Sequence, residues 1–79
     1  MDQHAAQLLP LESLRAGEHG RIVKLDGPAD AVHRLEEMGL RTGAAVRMVQ
    51  TGSPCILAID EQRLSFRADA ATVVMIEIL

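Results

Sequence analysis

The stretch RLEEMGLRTGAAVRMV, residues 34–49, changes its hydrophobic period in the middle, and that change decides the fold. Upstream of the change, Ala31, Leu35 and Met38 recur at four and then three residues, which draws one apolar stripe along a helix. Downstream, Val46 and Met48 alternate with Ala45, Arg47 and Val49, the period of a strand with one buried face. Gly39 fits the position just beyond the helix C-cap, in the left-handed conformation, and Leu40 then packs back on Leu35 in a Schellman stop. Arg41, Thr42 and Gly43 make a tight turn in which Gly43 takes the positive φ. The motif residues Arg34, Leu35, Gly39, Leu40 and Gly43 are therefore a bend that turns a helix into a strand.

Working back toward the N-terminus, His33, Arg34, Glu36 and Glu37 point away from the apolar stripe, and Val32 sits at its margin. Gly27 fits the N-cap, Pro28 the first helical position and Asp30 the positive helix end, so the helix is predicted to start at about residue 28. RIVKL, residues 21–25, is rich in β-branched residues and reads as a strand. Before it, PLESLRAGEHG places Leu11 and Leu14 one turn apart ahead of Gly17 and Gly20, a short helical turn or docking loop. Residues 1–10 read as a flexible lead, and residues 11–79 as one domain.

Beyond residue 49, TGSP is a turn and CILAI a third strand with Cys55, Leu57 and Ile59 on one face and Ile56 and Ala58 on the other. DEQ reads as a hairpin turn, RLSFR as a strand with Leu64 and Phe66 inward, and VVMIEIL as a last strand with Val74, Ile76 and Ile78 on one face. The predicted fold is mainly β: a small five-stranded SH3-like barrel with one inserted α-helix. Barrels of this size fill their interior with side chains, and closure protects their strand edges.

At 79 residues the chain buries roughly 60% of its unfolded surface, so the core is small, and Phe66 is its one aromatic residue. The formal charge is −3 and the basic residues are dispersed, which excludes phosphate-backbone binding; no aromatic platform exists for single strands. One cysteine cannot form an internal disulfide and fits a reducing compartment. The start MDQHAAQLLP lacks a basic, apolar leader pattern, and no run approaches a membrane span. A cytoplasmic protein without direct membrane insertion is expected.

For chemistry, His33 and Glu37 lie four apart on the helix and form at most two metal ligands, where transition-metal sites use three or four. His4 and His19 fall in loop-like segments without a partner at ligand spacing. Cys55 shares a face with Leu57 and Ile59 and reads as a small core hydrophobe rather than a redox or metal-sensing thiol. Ser13, Ser53 and Ser65 have no acid and histidine around them, and DGPAD is not a phosphate loop, so no catalysis and no cofactor are expected, beyond weak divalent metal binding. The outward apolar residues Ile56, Ala58, Val73 and Met75 are candidates for a partner-binding patch, and the helix face with Arg34, Glu36 and Glu37 is a second candidate.

Taken together, the spacing Leu11, Leu14, Gly17, the strand RIVKLDG, the bend RLEEMGLRTG and the ending RLSFRADAATVVMIEI resemble the FeoA-like domain family over residues 11–78. The resemblance implies an SH3-like barrel that acts as a cytoplasmic accessory of ferrous iron transport. The partner it implies is the FeoB-type transporter, a membrane protein with a cytoplasmic G-protein domain. The same fold also occurs behind metal-dependent repressors, so a metal-responsive regulatory domain that binds a divalent ion or a repressor is the alternative, and self-association is left open. Three departures stand out: Thr42 replaces the usual proline of the bend, Glu61 lies where a hairpin glycine is common, and the loop QTGSP is short.

Overall fold

The structure, a computed structural model, describes residues 7–79. Its elements are β1 (Leu8–Pro10), a single 3₁₀ turn (Leu11–Ser13), β2 (His19–Asp26), α1 (Ala29–Glu37), β3 (Ala45–Gln50), β4 (Cys55–Ile59), β5 (Gln62–Phe66) and β6 (Val73–Ile78). All strand pairs are antiparallel, in the order β1-β6-β2-β3-β4-β5. The mainly β, SH3-like architecture with one helix inserted between β2 and β3 is the expected one. Among the described residues there are six strands, not five, because Leu8–Pro10 pairs with β6 in register Leu8↔Glu77, Leu9↔Ile76 and Pro10↔Met75. The predicted lead therefore enters the sheet from residue 8, while residues 1–6, with His4, lie outside the described residues.

Among the described residues hydrogen bonding does not close the barrel: β1 and β5 are the two edges of the sheet. Curvature encloses the core instead. Register shifts between Ile22 and Lys24 on β2 and between Met48 and Gln50 on β3 mark bulges, which increase local twist. The alternation read in the sequence places Val46, Met48, Cys55, Leu57, Ile59, Phe66, Val74 and Ile76 in one buried cluster. Leu11 and Leu14 of the 3₁₀ turn complete it at 0% and 1% exposure. Leu64 is half-buried, and Ile78, on the inward face, lies past the core and is exposed. His19 belongs to β2, opposite Arg47, rather than to a loop.

Around α1 the local chemistry is close to expectation, shifted by one residue. The helix begins at Ala29 with Pro28 in the N-cap position, so Gly27 lies one residue further out. Gly27 has φ +156°, and a Cβ there would meet the Ala71 carbonyl oxygen at 2.7 Å and Thr72 Oγ1 at 2.9 Å, so close approach of the β6 entry excludes a side chain. At the other end Met38 is the C-cap, Gly39 has φ +105°, the Gly39 amide donates to Glu36 O (3.0 Å) and the Leu40 amide to Leu35 O (3.0 Å). This is the Schellman pattern. Leu40 is fully buried and Leu35 packs on the core. The bend is then fastened to β2, because the Gly43 amide donates to Ile22 O (2.7 Å) and the Ile22 amide to Ala44 O (2.9 Å).

Candidate functional site

Helix α1 is amphipathic, yet none of its residues is buried. Ala31 and Leu35 are half-buried, and Met38, at the C-cap, remains 37% exposed. The stripe that the spacing predicts therefore faces the sheet without being sealed against it. What lies opposite is the end of β5 and the connection to β6. A groove of about 200 Å³ runs between them, with Ala31, Leu35 and Met38 on the helix side and Ser65, Phe66 and Thr72 on the other. Its volume is below the roughly 300 to 1,000 Å³ of small-molecule sites, so it suits one or two side chains of a partner protein better than a metabolite.

Three charged residues frame the groove: Arg34, Arg67 and Asp69. Asp69 Oδ1 accepts the Ala71 amide (2.8 Å), which shapes the turn before β6 and occupies part of the carboxylate. Arg34 and Arg67 form no ion pair among the described residues. The groove is thus apolar within and basic at its rim. Residues of the helix and of the β5–β6 connection, some thirty to forty positions apart, build it, so no local pattern in the sequence announces it.

The outward apolar residues fall into two separate places. Ile56 and Ala58 lie on β4, and Val73 and Met75 on β6, with β2 and β3 between them in the sheet. Ala58 stands in a row between Arg47 of β3 and Arg63 of β5, whereas Met75 lies between Lys24 of β2 and Pro10 of β1. Ile56, Ala58 and Met75 are half-buried, and Val73 is exposed opposite Asp26. Glu37 points to the solvent side of α1, and of the charged helix face Arg34, Glu36 and Glu37 it is Arg34 that lines the groove.

His33 Nε2 and Glu37 Oε2 meet at 3.2 Å, with side chains 70% and 65% exposed. Glu36, Arg41 and Thr42 share their depression, and Arg41 Nε donates to Glu36 O (3.0 Å), which sets a guanidinium beside the pair. Among the described residues no three of His, Cys, Asp and Glu converge as a metal site would require. Cys55 is buried, and its Sγ–H donates to Phe66 O (3.4 Å). Burial pushes its thiol pKa up, the nearby Glu12 charge adds to the rise, and a backbone hydrogen bond opposes it. A thiol held neutral and out of solvent is a poor nucleophile and a poor ligand.

The model of the FeoA domain family matches residues 9–78. No curated protein sequence matches. Among solved structures, the chain is similar to a crystal structure of an iron uptake regulatory protein, FeoA, at 27% identity and a TM-score of 0.84, covering 92% of this chain and all of that one. It shares its fold with the iron(II) transport protein A of Clostridium thermocellum (23% identity, TM-score 0.82), covering 90% of this chain and 46% of that one. It also shares its fold with the T. acidophilum IdeR (18% identity, TM-score 0.82), where 99% of this chain corresponds to 37% of the other.

Proposed function

Because the chain belongs to the FeoA domain family, we propose that it is a non-enzymatic accessory of ferrous iron transport that works by docking on a protein partner. The partner is the cytoplasmic G-protein domain of a FeoB-type transporter, and the chain acts in the cytoplasm. The observation that carries this reading is the unsealed apolar stripe of α1, Ala31, Leu35 and Met38, across a groove from Ser65 and Phe66. An amphipathic helix without a buried residue is an incomplete contact, and a partner's side chains complete it. None of the described helices is long and apolar enough to cross a membrane. Docking modulates uptake by favouring one conformation of the partner, to the extent that the domain binds one conformation more tightly than the other.

The test is an amide NMR titration of the labelled domain with that G-protein domain, with and without ferrous iron. Shifts that cluster on Leu35, Met38 and Ser65 without added metal support the docking reading. Shifts at His33 and Glu37 with iron alone, and none with the partner, favour the metal-responsive alternative.

A further inference from the structure

We propose that strand β5 is a docking edge that takes an extended, acidic segment of a partner protein as an added strand. This deepens the docking reading above and rests on it for the partner's existence, but names the recognised chemistry independently. Among the described residues β5 ends the sheet, with β4 as its one strand neighbour. β4 and β5 are joined by Asp60 and Glu61 alone, so Ile59 and Gln62 close the hairpin as a hydrogen-bonded pair. Alternation along the ladder then turns the backbone groups of Leu64 and Phe66 toward β4 and those of Arg63 and Ser65 toward the open edge. Among the described residues, no backbone hydrogen bond outside the β4 ladder involves Arg63 or Ser65. A row of unpaired N–H and C=O groups is a template for an added strand.

The side chains say which strand. Arg63 lies on the outer face of the sheet, beside Ala58 and in one row with Arg47, and Arg67 follows just beyond β5. These arginines form no ion pair among the described residues, although the whole chain carries a formal charge of −3. A strand laid along β5 sets its outward residues next to Arg63, Ser65 and Arg67, where carboxylates are favoured. Its alternate residues turn inward at the mouth of the groove lined by Leu35, Met38 and Phe66, where apolar side chains fit. A second copy of this chain fits poorly. Antiparallel pairing of two β5 strands across Ser65 would bring Arg63 of each copy opposite Arg67 of the other, and like charges directly opposed are destabilising.

The experiment uses a capped peptide of about eight residues that alternates glutamate and isoleucine, and a control with lysine in place of glutamate. Titrated into the labelled domain, the acidic peptide is expected to shift the amides of Arg63, Ser65, Leu35 and Met38, and the lysine peptide to bind about tenfold more weakly or not at all. Ser65→Pro removes the edge donor at a position where an edge strand tolerates proline, and is expected to abolish binding with the fold intact. Should Ser65→Pro fail to fold, Arg63→Glu with Arg67→Glu is expected to reverse the preference between the two peptides. Equal binding of both peptides, shifts confined to another face, or no shift up to about 1 mM overturns the proposal. The transporter's G-protein domain, titrated against wild type and Ser65→Pro, separates the two readings. Equal binding to both forms overturns the edge and keeps the docking function, whereas peptide binding without G-domain binding keeps the edge and overturns that function.

Discussion

The Leu40 amide donates to the Leu35 carbonyl across 3.0 Å, and this single bond fixes where the helix stops and where the buried Leu40 enters the core. The residue between them that makes it reachable is Gly39, at φ +105°. A Cβ on Gly39 would meet Ile59 Cγ2 at 3.6 Å and Cδ1 at 4.0 Å, both ordinary contacts, so the cost of Gly39→Ala is conformational. We expect a loss of about 1 to 2 kcal/mol. In thermal denaturation that is a drop of about 4 to 8 °C for each kcal/mol in a domain of this size. An unchanged midpoint would remove the glycine from its role in the stop.

Gly27→Ala should be worse than Gly39→Ala. Here the added methyl meets backbone, the Ala71 oxygen at 2.7 Å, as well as an unfavourable φ, and neither side of the contact is a flexible side-chain end. Side-by-side urea titrations give the order, and a smaller loss at Gly27 would mean that the β6 entry shifts freely.

Cys55 links stability to alkaline pH. Its folded-state pKa lies above the ordinary value of 9.0, so the thiol stays protonated in the folded chain while it ionises in the unfolded one. Below the unfolded value the two states bind the proton equally and nothing is lost. As the pH rises from about 9 toward the higher folded value, the unfolded state is favoured by up to ~1.4 kcal/mol per pH unit. Cys55→Ala lowers stability overall, by opening space in the core, but should flatten this slope. Unfolding free energies of both forms between neutral and alkaline pH check it, and parallel curves would refute it.

Divalent metal should leave the domain unmoved. Among the described residues the exposed His33–Glu37 pair has no third ligand, so ferrous or zinc ions are expected to leave the melting midpoint where it is, and His33→Ala to change stability by about 0.5 kcal/mol or less. A ligand that binds the folded form raises its midpoint. A metal-dependent rise abolished by His33→Ala would therefore revive the metal-responsive alternative.

Sequence and structure agree where the determining contacts are local. Alternation at Cys55, Leu57 and Ile59, and the glycine stop at Gly39, each rest on neighbours within a few residues, and each is read correctly. Three features escape for one shared reason, distance along the chain. Leu8–Pro10 is too short to show a period and becomes a strand only because Met75, Ile76 and Glu77 receive it. The four outward apolar residues form no common patch because strand order inserts β2 and β3 between them. The groove needs α1 and the β5–β6 connection brought together. The hairpin turn shows a subtler difference: with Glu61 where a glycine is common, the positive φ falls on Asp60, at 55°.

The pairing of Leu8 with Glu77 has an engineering consequence. The first and last strands lie side by side at one margin of the sheet, while β5 forms the opposite margin. Cargo tethered ahead of Leu8 or after Ile78, such as a reporter, a surface linker or another folded unit, is carried on two neighbouring strands and on neither β4 nor β5. The pairing also suits circular permutation, since a linker can join β1 to β6 and new ends can be opened in the exposed loop 51–54.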